Sequence, residues 1–154
     1  MSQTLTTFRA ARADDLDAII ALLADDELGQ SREHVATPTD PAYLAAFRAI
    51  EDDSNQLLAV VEDAEGLAGC LQISFIPGLS RRGMWRGQIE GVRIARRLRG
   101  EGLGRTMLEW AIDRCRERKC QLVQLTSDKS RSDALRFYES LGFVASHEGF
   151  KLAL

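Results

Sequence analysis

Two runs decide how the rest of the chain is read: Gln88–Ile89–Glu90–Gly91–Val92–Arg93–Ile94, and then Arg99–Gly100–Glu101–Gly102–Leu103–Gly104–Arg105–Thr106–Met107–Leu108. The first reads as a strand and the second as a glycine-rich turn that opens an amphipathic helix. Gly100, Gly102 and Gly104 stand at alternate positions and let the backbone come close to a ligand. A helix opened this way presents unpaired N–H groups and the positive end of its dipole, which suits a phosphate. A plain tight turn is the other use of three such glycines.

Spacing excludes the two common nucleotide motifs. The dinucleotide fingerprint is G-x-G-x-x-G, whereas this chain has Gly100-x-Gly102-x-Gly104 with no acidic strand end at the expected distance. A P-loop requires a lysine after its last glycine, and none stands in this run.

Outward from this centre, residues 84–95 form the organising strand. The following helix carries Leu103, Met107, Leu108, Ala111, Ile112 and Cys115 as one buried stripe. Toward the N-terminus, 5–9 read as a strand and 14–27 as a helix with Asp14 at its N-cap. Residues 28–39 read as a loop, and Asp40–Pro41 opens a second helix. Strands follow at 56–62 and 67–76. Toward the C-terminus come a strand at 121–126 and a helix from a Ser130 cap to about Leu141, stopped at Gly142. A closing hairpin of 143–147 with 150–154 completes the chain. The expected fold is α/β: a mixed, mostly antiparallel sheet of about seven strands with helices on both faces, ordered β-α-α-β-β-β-α-β-α-β-β.

Bulk properties are those of an ordinary globular chain. With 154 residues, one domain over 1–154 is expected. A formal charge of −3 argues against nucleic acid or an anionic membrane as main partner. No apolar run approaches the ~18 residues that cross a bilayer, and residues 1–7 lack the basic and apolar regions of a leader. Cys70, Cys115 and Cys120 are odd in number and form no C-x-x-C pair, so reduced thiols and a cytoplasmic location are expected.

The run R-x-x-G-x-G from Arg99 to Gly104 resembles the acetyl-coenzyme A signature of the GCN5-related N-acetyltransferase (GNAT) superfamily. The later run Phe137–Tyr138–Glu139–Ser140–Leu141–Gly142–Phe143 is similar to the pattern in the second half of that fold. The likeness covers residues 84–154 directly and the first half through element order. It implies a cosubstrate, acetyl-CoA, and no metal. Val92, Arg93 and Ile94 would offer backbone groups to the pantetheine arm like an added strand, with Gly91 making a bulge. Arg99, Gly100, Glu101, Gly102, Leu103, Gly104 and Arg105 would wrap the pyrophosphate, where a Cβ at 102 would push phosphate away. Many members have an asparagine at the position of Arg131 that holds the pantetheine arm. Arg131 departs from it, with Ser132 and Asp128 as candidate substitutes.

Acetyl transfer to an amine requires a neutral amine, a stabilised oxyanion and a proton for the leaving thiolate. A lysine-like amine has a pKa of ~10.4 and must lose a proton first. Glu90 is the candidate base, since side chains 88, 90 and 92 share a strand face. An exposed or salt-bridged glutamate is the alternative. In histone-type members the base falls at the position of Gln88, and an amide cannot fill that role. Tyr138 is the candidate acid, its phenol matching the tyrosine beside the coenzyme sulfur in the family, against a simple packed aromatic. A backbone N–H near Val92 would hold the oxyanion.

The acceptor is expected to be a small-molecule or peptide amine. Glu27, Glu33 and Asp40 would attract a cation, whereas Arg81, Arg82 and Arg86 would attract an acidic or phosphorylated amine. The stretches around Trp85 and 126–138 are similar to small-molecule members, aminoalkylphosphonate acetyltransferases among them. Trp85 reads as packing or as acceptor-site lining. The resemblance is compatible with a homodimer. Two other readings stand beside the enzyme: an acyl-CoA-sensing module without chemistry, and nucleic-acid binding through Arg93, Arg96, Arg97, Arg99 and Arg105.

Overall fold

Alternating side chains around Ile89 place residues 85–94 in a sheet, with one side chain inward and the next outward. In the computed structural model, which describes residues 5–154, the strands are β1 (Thr7–Ala10), β2 (Gln56–Asp63), β3 (Gly66–Pro77), β4 (Trp85–Ile94) and β5 (Leu122–Gln124). Residues 1–4, part of the run read above for a leader, lie outside the described residues. The strands form one sheet in the order β1-β2-β3-β4-β5. Neighbours are antiparallel except β4 and β5, which run parallel. Parallel neighbours require a crossover, supplied by the helix that follows the glycine-rich turn.

The helices are α1 (Leu16–Ala24), α2 (Glu27–Arg32), α3 (Pro41–Asp52), the single turn α4 (Ser80–Gly83), α5 (Leu103–Glu117) and α6 (Ser132–Ser140). Leu16, Ile20 and Phe47 of α1 and α3 cluster with Leu58 on one face of the sheet. Ile19 joins Val60 and Cys70 on that face. The opposite face meets α5 through Met107 and Cys115. A Cβ placed at Gly69 would come within 2.8 Å of Met107 Sδ, and one at Gly87 would strike Cys115 Sγ. Glycine is what allows α5 to lie so close.

Several expectations are corrected. Among the described residues the strand count is five, and the order has three helices between β1 and β2. The first part of the expected 28–39 loop is α2, whose cap is Asp26, with Oδ1 accepting the Gly29 N–H. Asp15 rather than Asp14 precedes α1. Its Oδ2 accepts the Arg12 N–H at 2.7 Å and meets Arg9 Nη1 at 2.7 Å, a partner six residues back that Asp14 lacks. Ser130 bonds Asp128 instead of capping α6, which has Arg131 at its N-cap position.

The described chain forms two compact units, one ending at Gln124 and one running from Leu125 to Leu154. In the second unit α6 stops as expected. Gly142 N–H donates to Glu139 O at 3.0 Å and Phe143 N–H to Tyr138 O at 3.1 Å, the paired bonds of a glycine-type helix end. The closing hairpin does not form: residues 143–154 carry no strand, and Phe150, Leu152 and Leu154 are exposed. Apolar alternation marks the faces of a strand but supplies no partner, and an isolated hairpin is marginal in water.

Candidate functional site

Gly91 breaks the β3–β4 ladder. Cys70 faces Arg93 and Gln72 faces Glu90, so Leu71 stands against two residues, Gly91 and Val92. Gly91 has φ +64, a conformation an L side chain rarely adopts, and the result is a bulge. Its carbonyl accepts the Cys70 thiol at 3.7 Å. On its other side, β4 pairs with β5 only from Arg86 to Gln88. Residues 89–94 of β4 therefore have one edge without a strand partner among the described strands, a place where an extended ligand could add itself as a strand would. Two carbonyls there are already met by side chains: Val92 O accepts from Arg93 Nη1 at 2.9 Å, and Ile94 O accepts from Arg99 Nε at 3.1 Å.

The glycine-rich turn follows. Gly100 has φ +81, and Gly102, at the N-cap of α5, has φ +88. A Cβ at either would meet nothing within 4 Å among the described residues beyond its chain neighbours, so left-handed backbone and not crowding by the fold calls for glycine. The space beside both residues is open, and the N-terminal N–H groups of a 15-residue helix follow. Such a cradle fits a phosphorylated ligand. Glu101 and Arg105 are exposed, Leu103 and Gly104 half-buried, and Arg105 Nη1 lies 3.6 Å from Glu109.

The arginines around this turn are paired. Arg93 Nε lies 3.2 Å from Asp26 Oδ2, and Arg96 Nη2 lies 2.6 Å from Asp25 Oδ1. Arg97 forks onto Asp63 at 2.7 and 2.8 Å, which holds that carboxyl below the usual range. Arg99 donates from Nη2 to Asp25 O at 2.9 Å and Asp25 Oδ2 at 3.2 Å. What reads in sequence as a basic patch is in space a set of arginines that each have a carboxylate beside them, with Arg96 and Arg99 sharing Asp25. Asp25 and Asp26, absent from the sequence reading, organise it from the α1–α2 junction. A helix end followed by two aspartates is a common pattern, so only proximity in the fold gives them this role. A groove of about 540 Å³ opens beside the Asp25–Arg96 pair, lined also by Ala18, Ala21, Leu22, Ala24, Val35, Leu67 and Ala95.

Glu90 is exposed on β4, directly across from Gln72. The face they share carries a polar row. Gln56 Oε1 accepts from Gln72 Nε2 at 3.0 Å and from Ser74 Oγ at 2.9 Å, and Gln88 Oε1 accepts from Gln124 Nε2 at 2.9 Å. Trp85 is half-buried at the start of β4. In the second unit, Tyr138 is half-buried on α6, its ring 5.3 Å from Phe137 and 6.0 Å from Phe143. Arg131 is exposed, and Asp128 Oδ1 receives both the N–H and the hydroxyl of Ser130. Cys70 and Cys115 are buried, and burial pushes each thiol up to about 12. Among the described residues no three His, Cys, Asp or Glu side chains gather as a metal site would require, and no helix is long and apolar enough to cross a membrane.

A family model described as Acetyltransferase (GNAT) family matches residues 17–143. Over 70 residues the chain is 34% identical to the aminoalkylphosphonate N-acetyltransferase of Salmonella typhimurium, covering 46% of this chain and 46% of that enzyme. The chain spans about half the length of the curated relatives it matches. Among solved structures it is similar to a transcriptional regulator from Bacillus halodurans C-125, at 47% identity and TM-score 0.94, covering 97% of this chain and 100% of that one. It is also similar to a Trypanosoma brucei acetyltransferase, at 26% identity and TM-score 0.77, covering 97% and 99%.

Proposed function

The chain belongs to the acetyltransferase (GNAT) family, and from that premise we propose that it is an acetyl-CoA-dependent N-acetyltransferase acting on the primary amine of a small molecule. The observation that carries this reading is the open, left-handed turn at Gly100–Glu101–Gly102, placed between the unpaired edge of β4 and the start of α5. The family match runs across both units, which supports a single N-acetyltransferase domain.

Acetyl-CoA, when bound, supplies an acetyl thioester. Val92, Arg93 and Ile94 would hold the pantetheine arm along the β4 edge. Gly100, Glu101, Gly102, Leu103, Gly104 and Arg105 would hold the pyrophosphate through backbone N–H groups, and Arg131 would lie along the arm. Arg99 serves the turn from behind, since its guanidinium is engaged by Asp25 and Ile94. Glu90 takes a proton from the acceptor ammonium, directly or through water, so that nitrogen can form its bond to the acetyl carbon. As the carbon–sulfur bond breaks, the departing sulfur would take the Tyr138 phenol proton, and the second proton lost by the new amide nitrogen would return to the Tyr138 oxygen.

A second reading is a sensor that binds acyl-CoA and regulates a partner. It is favoured by the likeness to a transcriptional regulator over nearly the whole chain and by the amide at Gln88. Acetyl-CoA consumption over a panel of amines, run beside thermal shift with acetyl-CoA, separates the two. Turnover of an amine, with Tyr138→Phe lowering kcat far more than coenzyme affinity, supports the enzyme. Tight binding with no turnover supports the sensor, and full activity in Tyr138→Phe removes the acid role of Tyr138.

A further inference from the structure

The half-buried arginines among the described residues are Arg9, Arg86, Arg93 and Arg114. Three of them sit against carboxylates: Arg9 with Asp15 and Glu62, Arg93 with Asp26, Arg114 with Glu117. No carboxylate pairs with Arg86 among the described residues, and its Nε is sealed from solvent without an acceptor. The Nε of Arg93 and Arg114 also lack an aligned acceptor, but each of those guanidiniums has a counter-charge beside it. A guanidinium drawn partly out of water without an anion is unfavourable, so its place in the fold asks for one.

Its position says where that anion belongs. Arg86 pairs with Ile76 and Leu122, Gln88 with Ser74 and Gln124, and Glu90 with Gln72, so the three side chains share one face of β4. Cation, amide and carboxylate stand in line, with about 13 Å between the first and last Cα. Gln88 Oε1 is engaged by Gln124, and Gln88 stands two positions from Arg86 on the same face, its amide N–H groups being donors. The coenzyme turn lies beyond the Glu90 end of the strand, so Arg86 lies on the side away from it.

We propose that Arg86, with the Gln88 amide beside it, binds an oxyanion carried by the acceptor, whose natural class is a short amine bearing a phosphonate, phosphate or carboxylate group. The inference rests on the acetyltransferase reading for its kinetic test but on Arg86 alone for its binding test. A bidentate guanidinium–oxyanion contact is the strong form of such a bond, and discrimination of about 10- to 100-fold is expected from it.

The experiment compares kcat/KM for 2-aminoethylphosphonate, phosphoethanolamine and β-alanine with that for ethanolamine. In parallel, thermal shift is measured with 2-aminoethylphosphonate in the presence of coenzyme A. The anionic amines are expected to exceed ethanolamine at least tenfold. In Arg86→Met that ratio falls toward one and the thermal shift disappears, while Arg86→Lys, which keeps the charge without the fork, retains part of both. If no amine is turned over, the acetyltransferase reading fails separately, and an Arg86-dependent thermal shift still supports the oxyanion site. Equal kcat/KM for charged and uncharged amines in the wild type overturns the proposal whether or not the variants fold, as does an undiminished shift in folded Arg86→Met.

Discussion

Asp25, just past the end of α1, holds Arg99, the first residue of the glycine-rich run, through both its backbone carbonyl at 2.9 Å and its carboxylate at 3.2 Å. The same guanidinium reaches Ile94 O at the end of β4, so one side chain joins helix end, strand end and turn. These groups are about a third or more exposed, and breaking the ion pair is expected to change stability by no more than ~1 kcal/mol. Asp25→Ala is therefore expected to raise the KM for acetyl-CoA several-fold with little change in melting temperature. Asp25→Asn, which loses the charge but keeps a side-chain acceptor, falls between. Coenzyme titrations beside thermal melts check this, and equal coenzyme affinity in all three proteins would show that the tie does not shape the turn.

Gly87 faces Cys115 with no room for a methyl group. Gly87→Ala is expected to destabilise the protein by ~1–3 kcal/mol, as overpacking does. Adding Cys115→Ala removes the sulfur and recovers most of that loss. Denaturant unfolding of both single variants and the double variant gives the coupling.

Burial raises the Cys70 and Cys115 thiols to about 12, and Cys120 is raised for the same reason. A raised thiol pKa means that the folded state keeps its proton while the unfolded chain releases it. The associated stability is present below the unfolded value of ~8.5 and declines as pH rises from there toward 12. At pH 8 a disulfide reagent should label native protein slowly, Cys120 first, and all three thiols quickly in denaturant. Fast native labelling of Cys70 would contradict this burial.

On the acid side, the Arg9 guanidinium holds Asp15 and Glu62 below the ordinary carboxylate range. A lowered carboxyl stabilises the fold above its unfolded pKa of about 4, and that contribution is lost as pH falls further. Asp15→Asn should therefore be less stable than wild type at pH 7, with the gap closing below about pH 4. Melting temperatures from pH 2 to 7 measure it, and a constant gap would mean that Asp15 acts through its shape alone.

The parts legible in sequence were those with local causes. Gly102 needs its left-handed backbone wherever the chain goes, Gly142 ends a helix through bonds to residues three and five back, and Pro41 opens one. Parts that depend on distant partners were not legible. Asp15 outranks Asp14 because it meets Arg9, which the distant Glu62 also holds, and Asp25 gains its role from Arg96 and Arg99, more than seventy positions away. The pattern Phe150-x-Leu152-x-Leu154 describes a strand face but not the neighbour a strand requires. Helix α2 is six residues long, too short for apolar periodicity to announce it. Glu90 was legible as a strand position, whereas its open setting follows from the bulge at Gly91 and the early end of the β4–β5 ladder.

The close seating of α5 has a consequence for how the turn meets its ligand. Gly69 against Met107 and Gly87 against Cys115 clamp the helix to the sheet, and β4 is held along its length by β3. Both ends of the turn are thus anchored when the chain folds, and few torsions would remain to be frozen on binding the proposed phosphate group. Ordering entropy has been spent in folding rather than in association. Binding should then show a small entropic penalty and a rate set by encounter more than by rearrangement.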